Sequence, residues 1–200
     1  SPFSDVDQGL NWTYNLRANI YRSLGREEDA LRDLAFAAEL REGGGRNVSQ
    51  RLNHAGLLLD NDHAEEAFTA AREVNPAHLS PYGRSVRRNI MVCAATALGR
   101  IEDVRQGLTD AIEHATDSLA GLQSVALCAG DMEVAADAFI RRLDDLGERR
   151  GVVMRLQSFA GEPSPDQWLT HYPLYQREDV RAAIDRSVTM RTFPISRPDF

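Results

Sequence analysis

The sequence contains no lysine, and all 23 of its basic residues are arginines. Lysine supplies the amine of Schiff-base enzymes, the phosphate-binding group of Walker-type loops and the base of serine–lysine dyads. The sequence therefore excludes these three kinds of site within the chain.

Cysteine is almost as scarce, with only Cys93 and Cys128 present. Their separation is too large for a CxxC redox or zinc motif, and each lies in an apolar stretch of helical pattern. We therefore expect two buried free thiols. The sequence leaves the compartment open, and we favour the cytoplasm over the periplasm.

Long apolar runs and a basic charge balance are also missing. No stretch approaches the roughly 18 consecutive apolar residues of a membrane-spanning helix. The net charge is −7, whereas nucleic-acid binding usually needs a basic surface that displaces counterions. We expect no membrane span and no direct contact with nucleic acid.

Motifs for catalysis, metals and cofactors are absent as well. The sequence contains neither HExxH nor GxSxG, and the glycines of "REGGGRNVSQ" (41–50) lack the spacing and the lysine of a phosphate-binding loop. His54 and His63 lack a third metal ligand. We expect no enzyme activity, no catalytic residue, no metal and no cofactor, and we interpret 41–50 as a flexible linker.

What the sequence does contain is an internal repeat. Four pairs of residues, each five apart, lie between two helical patterns: Gly25 and Ala30, Asp62 and Ala67, Gly99 and Val104, Gly130 and Ala135. The pairs recur at intervals of 37, 37 and 31 residues. Such a period is typical of stacked repeats that share one core.

The first repeat shows how a unit is built. In "YRSLGREEDALRDLAFAAEL" (21–40), Gly25 permits the left-handed backbone that ends a helix, and acidic residues then open a second helix at its positive end. Gly25 is therefore predicted to form the turn of a helical hairpin. The register of the second unit is ambiguous by one helical turn, because aligning the repeats on Ala67 and aligning them on Pro76 give different results.

This pattern resembles the tetratricopeptide repeat (TPR). The first unit matches its outline at Tyr14, Ala18, Tyr21, Gly25, Ala30, Leu34 and Ala37, although Arg17 stands where leucine is usual. The resemblance covers residues 10–145 and implies an all-α, right-handed superhelical solenoid of about four helical hairpins. We place the repeats in 1–147, at approximately 11–44, 48–78, 85–115 and 117–146.

The remainder of the chain is predicted to close the solenoid. A helical stripe of Val152, Val153, Leu156 and Phe159 begins a cap over 148–190, and Ser164 and Pro165 open its next helix. We interpret Trp168, Tyr172 and Tyr175 as aromatic filler beneath the cap, with a ligand pocket as the alternative. An extended tail occupies 191–200.

In TPR proteins the first helix of each hairpin lines the concave face. The resemblance therefore implies peptide-binding residues at Trp12, Asn15, Asn19, Arg22, Asn53 and Asn89. Asparagine can hydrogen-bond a peptide backbone as donor and acceptor. The alternative for these asparagines is a solvated helix face. The arginines of 83–89 and 141–151 are expected to be solvated.

We therefore expect a protein- or peptide-binding scaffold domain without catalysis, forming part of a larger bacterial protein. One alternative is a ligand-sensing or regulatory domain of a transcriptional activator, which a pocket closed by the cap would favour. Another is a self-assembly module, which could form a homodimer.

Overall fold

The computed structural model describes residues 6–42, 45–164, 169 and 172–196. The helices are α1 (Val6–Ser23), α2 (Glu27–Glu39), α3 (Val48–Asp60), α4 (Ala64–Glu73), α5 (Pro81–Ala97), α6 (Ile101–Glu113), α7 (Leu119–Ala129), α8 (Met132–Asp144), α9 (Leu146–Arg155), α10 (Pro173–Gln176) and α11 (Glu178–Ser187). Short 3-10 turns occupy Pro76–His78 and Ala115–Asp117. The protein is all-α apart from four two-residue strands in its described part: β1 (Arg41–Glu42), β2 (Gly45–Arg46), β3 (Ser158–Phe159) and β4 (Thr192–Phe193).

Residues in the left-handed backbone region connect the first eight helices in pairs, as four helical hairpins. Gly25, Gly99 and Gly130 have φ angles of 69°, 68° and 76°, and Asp62 has a φ angle of 64°. Aspartate is among the few side chains that tolerate this region. The predicted turn at Gly25 is confirmed, and Asp62 fixes the turn of the second hairpin on the alignment through Ala67.

The helices that begin the hairpins lie side by side and run in the same direction. Between α1 and α3, Asn53 Nδ2 donates to Asn15 Oδ1 at 2.8 Å, and Arg22 Nη2 donates to Asp60 Oδ2 at 2.9 Å. The two contacts advance together along both helices, as parallel neighbours require. The same relation holds between α5 and α7, where Ser85 meets Gly121 near the start of each helix.

The apolar core continues from one hairpin to the next. Val104 packs against the buried residues of the second hairpin and also against those around Val92 and Leu122. Leu108 packs against this cluster and against the C-terminal cluster that contains Phe139. Helices too short to bury a face alone are thus stabilised by their neighbours.

The expectation of free thiols is wrong, because Cys93 on α5 and Cys128 on α7 form a disulfide with their Cα atoms 5.0 Å apart. Two helical turns before it, Ser85 and Gly121 already bring these parallel helices together. The sequence spacing excluded a CxxC motif correctly, but it could not show that separate hairpins place the two sulfur atoms side by side.

The C-terminal region departs from the predicted helical stripe. Helix α9 ends at Arg155, and Phe159 lies on β3, which pairs in parallel with β4 of the tail. The rings of Phe159 and Phe193 stack 5.5 Å apart. Part of the predicted tail is therefore extended and bound to its own chain. The predictions for Pro165, Trp168 and 197–200 fall outside the described residues.

Two further segments differ from their predicted character. Residues 41–42 pair in antiparallel register with 45–46, so the predicted linker forms a small ladder. The arginines of 83–89 are not simply solvated. Arg84 Nη2 lies 3.0 Å from Asp117 Oδ1, Arg88 pairs with Asp110, and Arg87 Nε donates to the carbonyl oxygen of Ala71 at 2.9 Å.

We predict that removing the disulfide with the Cys93→Ala/Cys128→Ala pair lowers the free energy of unfolding by about 3–4 kcal/mol. A cross-link over a sequence separation of 35 restricts the unfolded chain by roughly this amount. Urea unfolding followed by circular dichroism measures the change. Reductant should destabilise the wild type and leave the double variant unchanged; a wild type insensitive to reductant would contradict the cross-link.

Candidate functional site

A cleft of about 700 Å³ lies between α5, α7 and the C-terminal region. Side chains from both first helices form one side, and Arg142 of α8 contributes to the lining. The C-terminal region contributes Arg155, Glu162, Tyr172 and Tyr175 to the lining. The volume lies within the range of roughly 300–1,000 Å³ found for small-molecule sites.

A buried arginine stands in the wall of this cleft. Only 7% of Arg142 is exposed. Its Nε donates to Glu148 Oε2 at 2.8 Å, and its Nη1 donates to Gln123 Oε1 at 2.6 Å. Burial of a guanidinium is costly unless it is paired. Glu148 and Gln123 therefore hold Arg142 in one orientation, which corrects the expectation that Arg142 is solvated.

The contact with Arg142 also fixes the orientation of Gln123. A guanidinium has donors only, so the atom of Gln123 that faces it must be the amide oxygen. The amide nitrogen, Nε2, consequently points away from Arg142. Gln123 is 8% exposed and lines the cleft, and within the described ranges its Nε2 makes no hydrogen bond.

Close packing of α5 on α7 forms the adjoining part of the wall. A Cβ atom on Gly121 would lie 1.7 Å from Ser85 Oγ and 3.1 Å from Ser85 Cβ. Glycine is needed here for the approach of the two backbones rather than for a left-handed φ. Ser85 is 3% exposed and lines the cleft.

Aromatic rings form the opposite side. Tyr175 packs edge-on against Phe139 with centroids 5.4 Å apart, and Tyr172 packs edge-on against Tyr175 at 6.0 Å. Burial raises the pKa of Tyr175, and the nearby charges of Arg142 and Arg155 oppose that rise. Tyr175 therefore serves both in the core beneath the C-terminal region, as predicted, and in the cleft, together with Tyr172.

The predicted groove residues are distributed over α1, α3 and α5, and two of them are in contact. Asn15 and Asn53 bond to each other, and Asn53 also donates to Gln50 Oε1 at 3.1 Å. Arg22 pairs with Asp60, while Trp12 is 48% exposed on α1.

Asn19 is exposed, and Asn89 alone of the predicted set lines the cleft, where its Nδ2 lies 3.5 Å from Cys93 Sγ. Sequence reasoning missed Arg142, Gln123 and Ser85. A signal was present for Arg142, because it follows Ala138 by four residues and therefore shares the buried face of α8.

A second cavity of about 380 Å³ lies between α5 and α6. Its arginines are occupied, since Arg84 pairs with Asp117 and Arg88 with Asp110. Asp110, Glu113 and His114 come close enough to share an ion, but His114 Nδ1 already lies 2.9 Å from the carbonyl oxygen of Asp110. These groups lie at the surface, and the carboxylate of Asp110 already contacts Arg88 and His114.

We predict that Gly121→Ala lowers the free energy of unfolding by about 1–3 kcal/mol, the usual cost of overpacking. The new methyl group would overlap Ser85 Oγ. Chemical denaturation measures the loss, and adding Ser85→Ala should recover part of it. The control is Gly151→Ala on α9, where the methyl group meets no atom within 4 Å. Equal effects at both glycines would refute the close approach.

Among the described helices, none is at once long and apolar enough for a bilayer. Comparison with protein-family models, with curated proteins and with solved structures finds no match to this chain.

Proposed function

We propose that this chain is a non-catalytic, TPR-like helical-repeat domain that binds a protein or peptide. In this proposal the four hairpins within 1–147 form a right-handed solenoid, 148–190 caps it, and the domain serves as a scaffold within a larger bacterial protein. The observation that carries the proposal is the cleft of about 700 Å³ between first helices α5 and α7 and the C-terminal region.

The arrangement of the first helices supports a repeat architecture. Helices α1, α3, α5 and α7 contact one another in succession. The second helices α2, α4 and α6 pack between consecutive first helices, since each contacts both the helix before it and the helix after it. Stacked hairpins of this kind present their first helices as one continuous surface.

The character of the cleft supports binding rather than catalysis. Its described lining includes the hydroxyl groups of three tyrosines and of Ser85, Ser118 and Ser124, amide groups and apolar side chains. Glu162 is the carboxylate of that described lining, and its Oε2 accepts a hydrogen bond from the backbone nitrogen of Phe159 at 3.1 Å. Polar groups at fixed positions among apolar walls orient a bound molecule.

A second candidate is a ligand-sensing or regulatory domain. The favouring observation is that side chains of the C-terminal region, among them Glu162, Tyr172 and Tyr175, line the cleft together with α7, so that a small molecule could be enclosed between them. Under this alternative, binding would change how the C-terminal region packs on α8, and a short peptide would not be the natural ligand.

The test is a screen of short synthetic peptides by fluorescence anisotropy, followed by two matched variants. Leu127→Arg places a charge in the cleft wall, whereas Ile112→Arg changes an exposed apolar residue of α6 outside it. We predict that Leu127→Arg weakens peptide binding about tenfold or more, because it removes an apolar contact and obstructs the cleft. Ile112→Arg should leave the affinity unchanged.

Circular dichroism should show equal helix content for both variants. Peptides that bind the two variants equally well would place the binding surface elsewhere and contradict the proposal. A screen that yields no binding peptide, with small molecules that bind in the cleft, would favour the ligand-sensing candidate.

A further inference from the structure

We propose that the cleft between α5, α7 and the C-terminal region binds a carboxylate group carried on an apolar body, with the carboxylate at Arg142 and Gln123. This inference rests on the proposed function in one respect, the use of the cleft as the binding site. It adds the chemistry of the ligand, which the TPR resemblance does not supply, because the predicted residues Asn15, Asn19 and Asn53 lie outside the cleft.

The lining of the cleft includes three side chains with hydrogen-bond donors that no described residue uses. Arg142 donates from Nε to Glu148 and from Nη1 to Gln123. Its Nη2 forms no hydrogen bond in the part of the chain that the structure describes. The Nε2 of Gln123 likewise forms no hydrogen bond to a described residue. Ser85 adds a hydroxyl group that has no hydrogen bond to any described residue. A ligand that satisfies these groups must supply acceptors.

These donors are held in place before any ligand arrives. Arg142 and Gln123 are more than nine-tenths buried and bond to each other, and Glu148 fixes the far side of the guanidinium. Charge-assisted hydrogen bonds to a carboxylate are stronger than neutral ones, and they gain further where water is excluded. The free donor atoms of Arg142 and Gln123 are not fully buried, so a ligand in the cleft can reach them and take the place of water there.

The charged side chains of the described lining leave one arginine without an ionic partner. They are Arg142, Arg155 and Glu162. Arg142 already pairs with Glu148 at 2.8 Å, whereas Arg155 forms no ion pair with the described residues. A monoanion gains the positive charge of Arg155 as well as the donors of Arg142 and Gln123, whereas a phosphate dianion would be repelled more strongly by Glu148 and Glu162.

The remaining walls suit an apolar body next to the carboxylate. Val86 and Leu127 extend from the first helices, and Tyr172, Pro173 and Leu174 extend from the C-terminal region. Aromatic and proline rings offer flat apolar surfaces with little loss of side-chain entropy on binding. The two sources of such a ligand are the C-terminal residue of a peptide and a free carboxylic acid.

The experiment is NMR titration of the whole chain with N-acetyl-L-phenylalanine, its amide and 3-phenylpropionate, following the side-chain amide of Gln123. We expect the two acids to shift this signal with dissociation constants of about 1 mM or below, and the amide to bind about tenfold more weakly. Tighter binding of N-acetyl-L-phenylalanine identifies a peptide end, and tighter binding of 3-phenylpropionate identifies a free acid.

The decisive variant is Gln123→Glu. It keeps an oxygen that accepts from Arg142 but replaces the outward amide nitrogen with a second carboxylate oxygen, which repels the ligand. Acid binding should fall about tenfold or more, as read from backbone signals of α7. The control is Arg150→Gln, an exposed arginine of α9 that does not line the cleft, which should leave the affinity unchanged.

Three results would overturn the inference: no shift with either acid, equal affinity for acid and amide, or full acid binding by Gln123→Glu. Its failure is separable from that of the proposed function. If peptides lose binding to Leu127→Arg but bind the wild type equally well with an amidated C-terminus, the proposed peptide-binding function stands and the carboxylate site is contradicted. If the two acids bind and no peptide does, the carboxylate site stands and the proposed peptide-binding function is contradicted.

Discussion

The contact between α5 and α7 determines the geometry of the rest of the site. Gly121 lets the two backbones approach at Ser85, and the Cys93–Cys128 bond joins them again two turns later. Two contacts along parallel helices prevent α7 from sliding or rotating on α5. Since Gln123 lies on α7 and bonds to Arg142 of α8, the position of the buried guanidinium follows from this contact.

Arginine provides several of the polar connections between helices in this lysine-free chain. Arg17 binds Asp33 through two nitrogens, with Nε–Oδ2 and Nη2–Oδ1 distances of 2.5 and 2.7 Å, and joins α1 to α2. A leucine at position 17 could not form this pair. Arg142 uses the same planar fork to join α7, α8 and the start of α9. A flexible ammonium group could not satisfy two such partners in a fixed plane.

Features of the structure were predictable from the sequence where they depend on interactions between residues close together in the chain. The turn at Gly25 was predictable because it is a local requirement of backbone sterics. The disulfide was not, because Cys93 and Cys128 belong to different hairpins and meet only when α5 packs on α7. Arg142 was misjudged for a related reason, since its acidic partner is close in sequence but its burial depends on α7 and the C-terminal region.

The sequence by itself determined the helices, their hairpin turns and their apolar faces, because helical periodicity and left-handed backbone conformations are encoded over a few residues. It also determined which chemistry the chain lacks, through the absence of lysine. Only the tertiary structure decided where a binding site lies. The cleft exists because α5, α7 and the lining residues of the C-terminal region enclose a volume. The free donors of Gln123 and Arg142 acquire a direction only from the contact of these two side chains with each other.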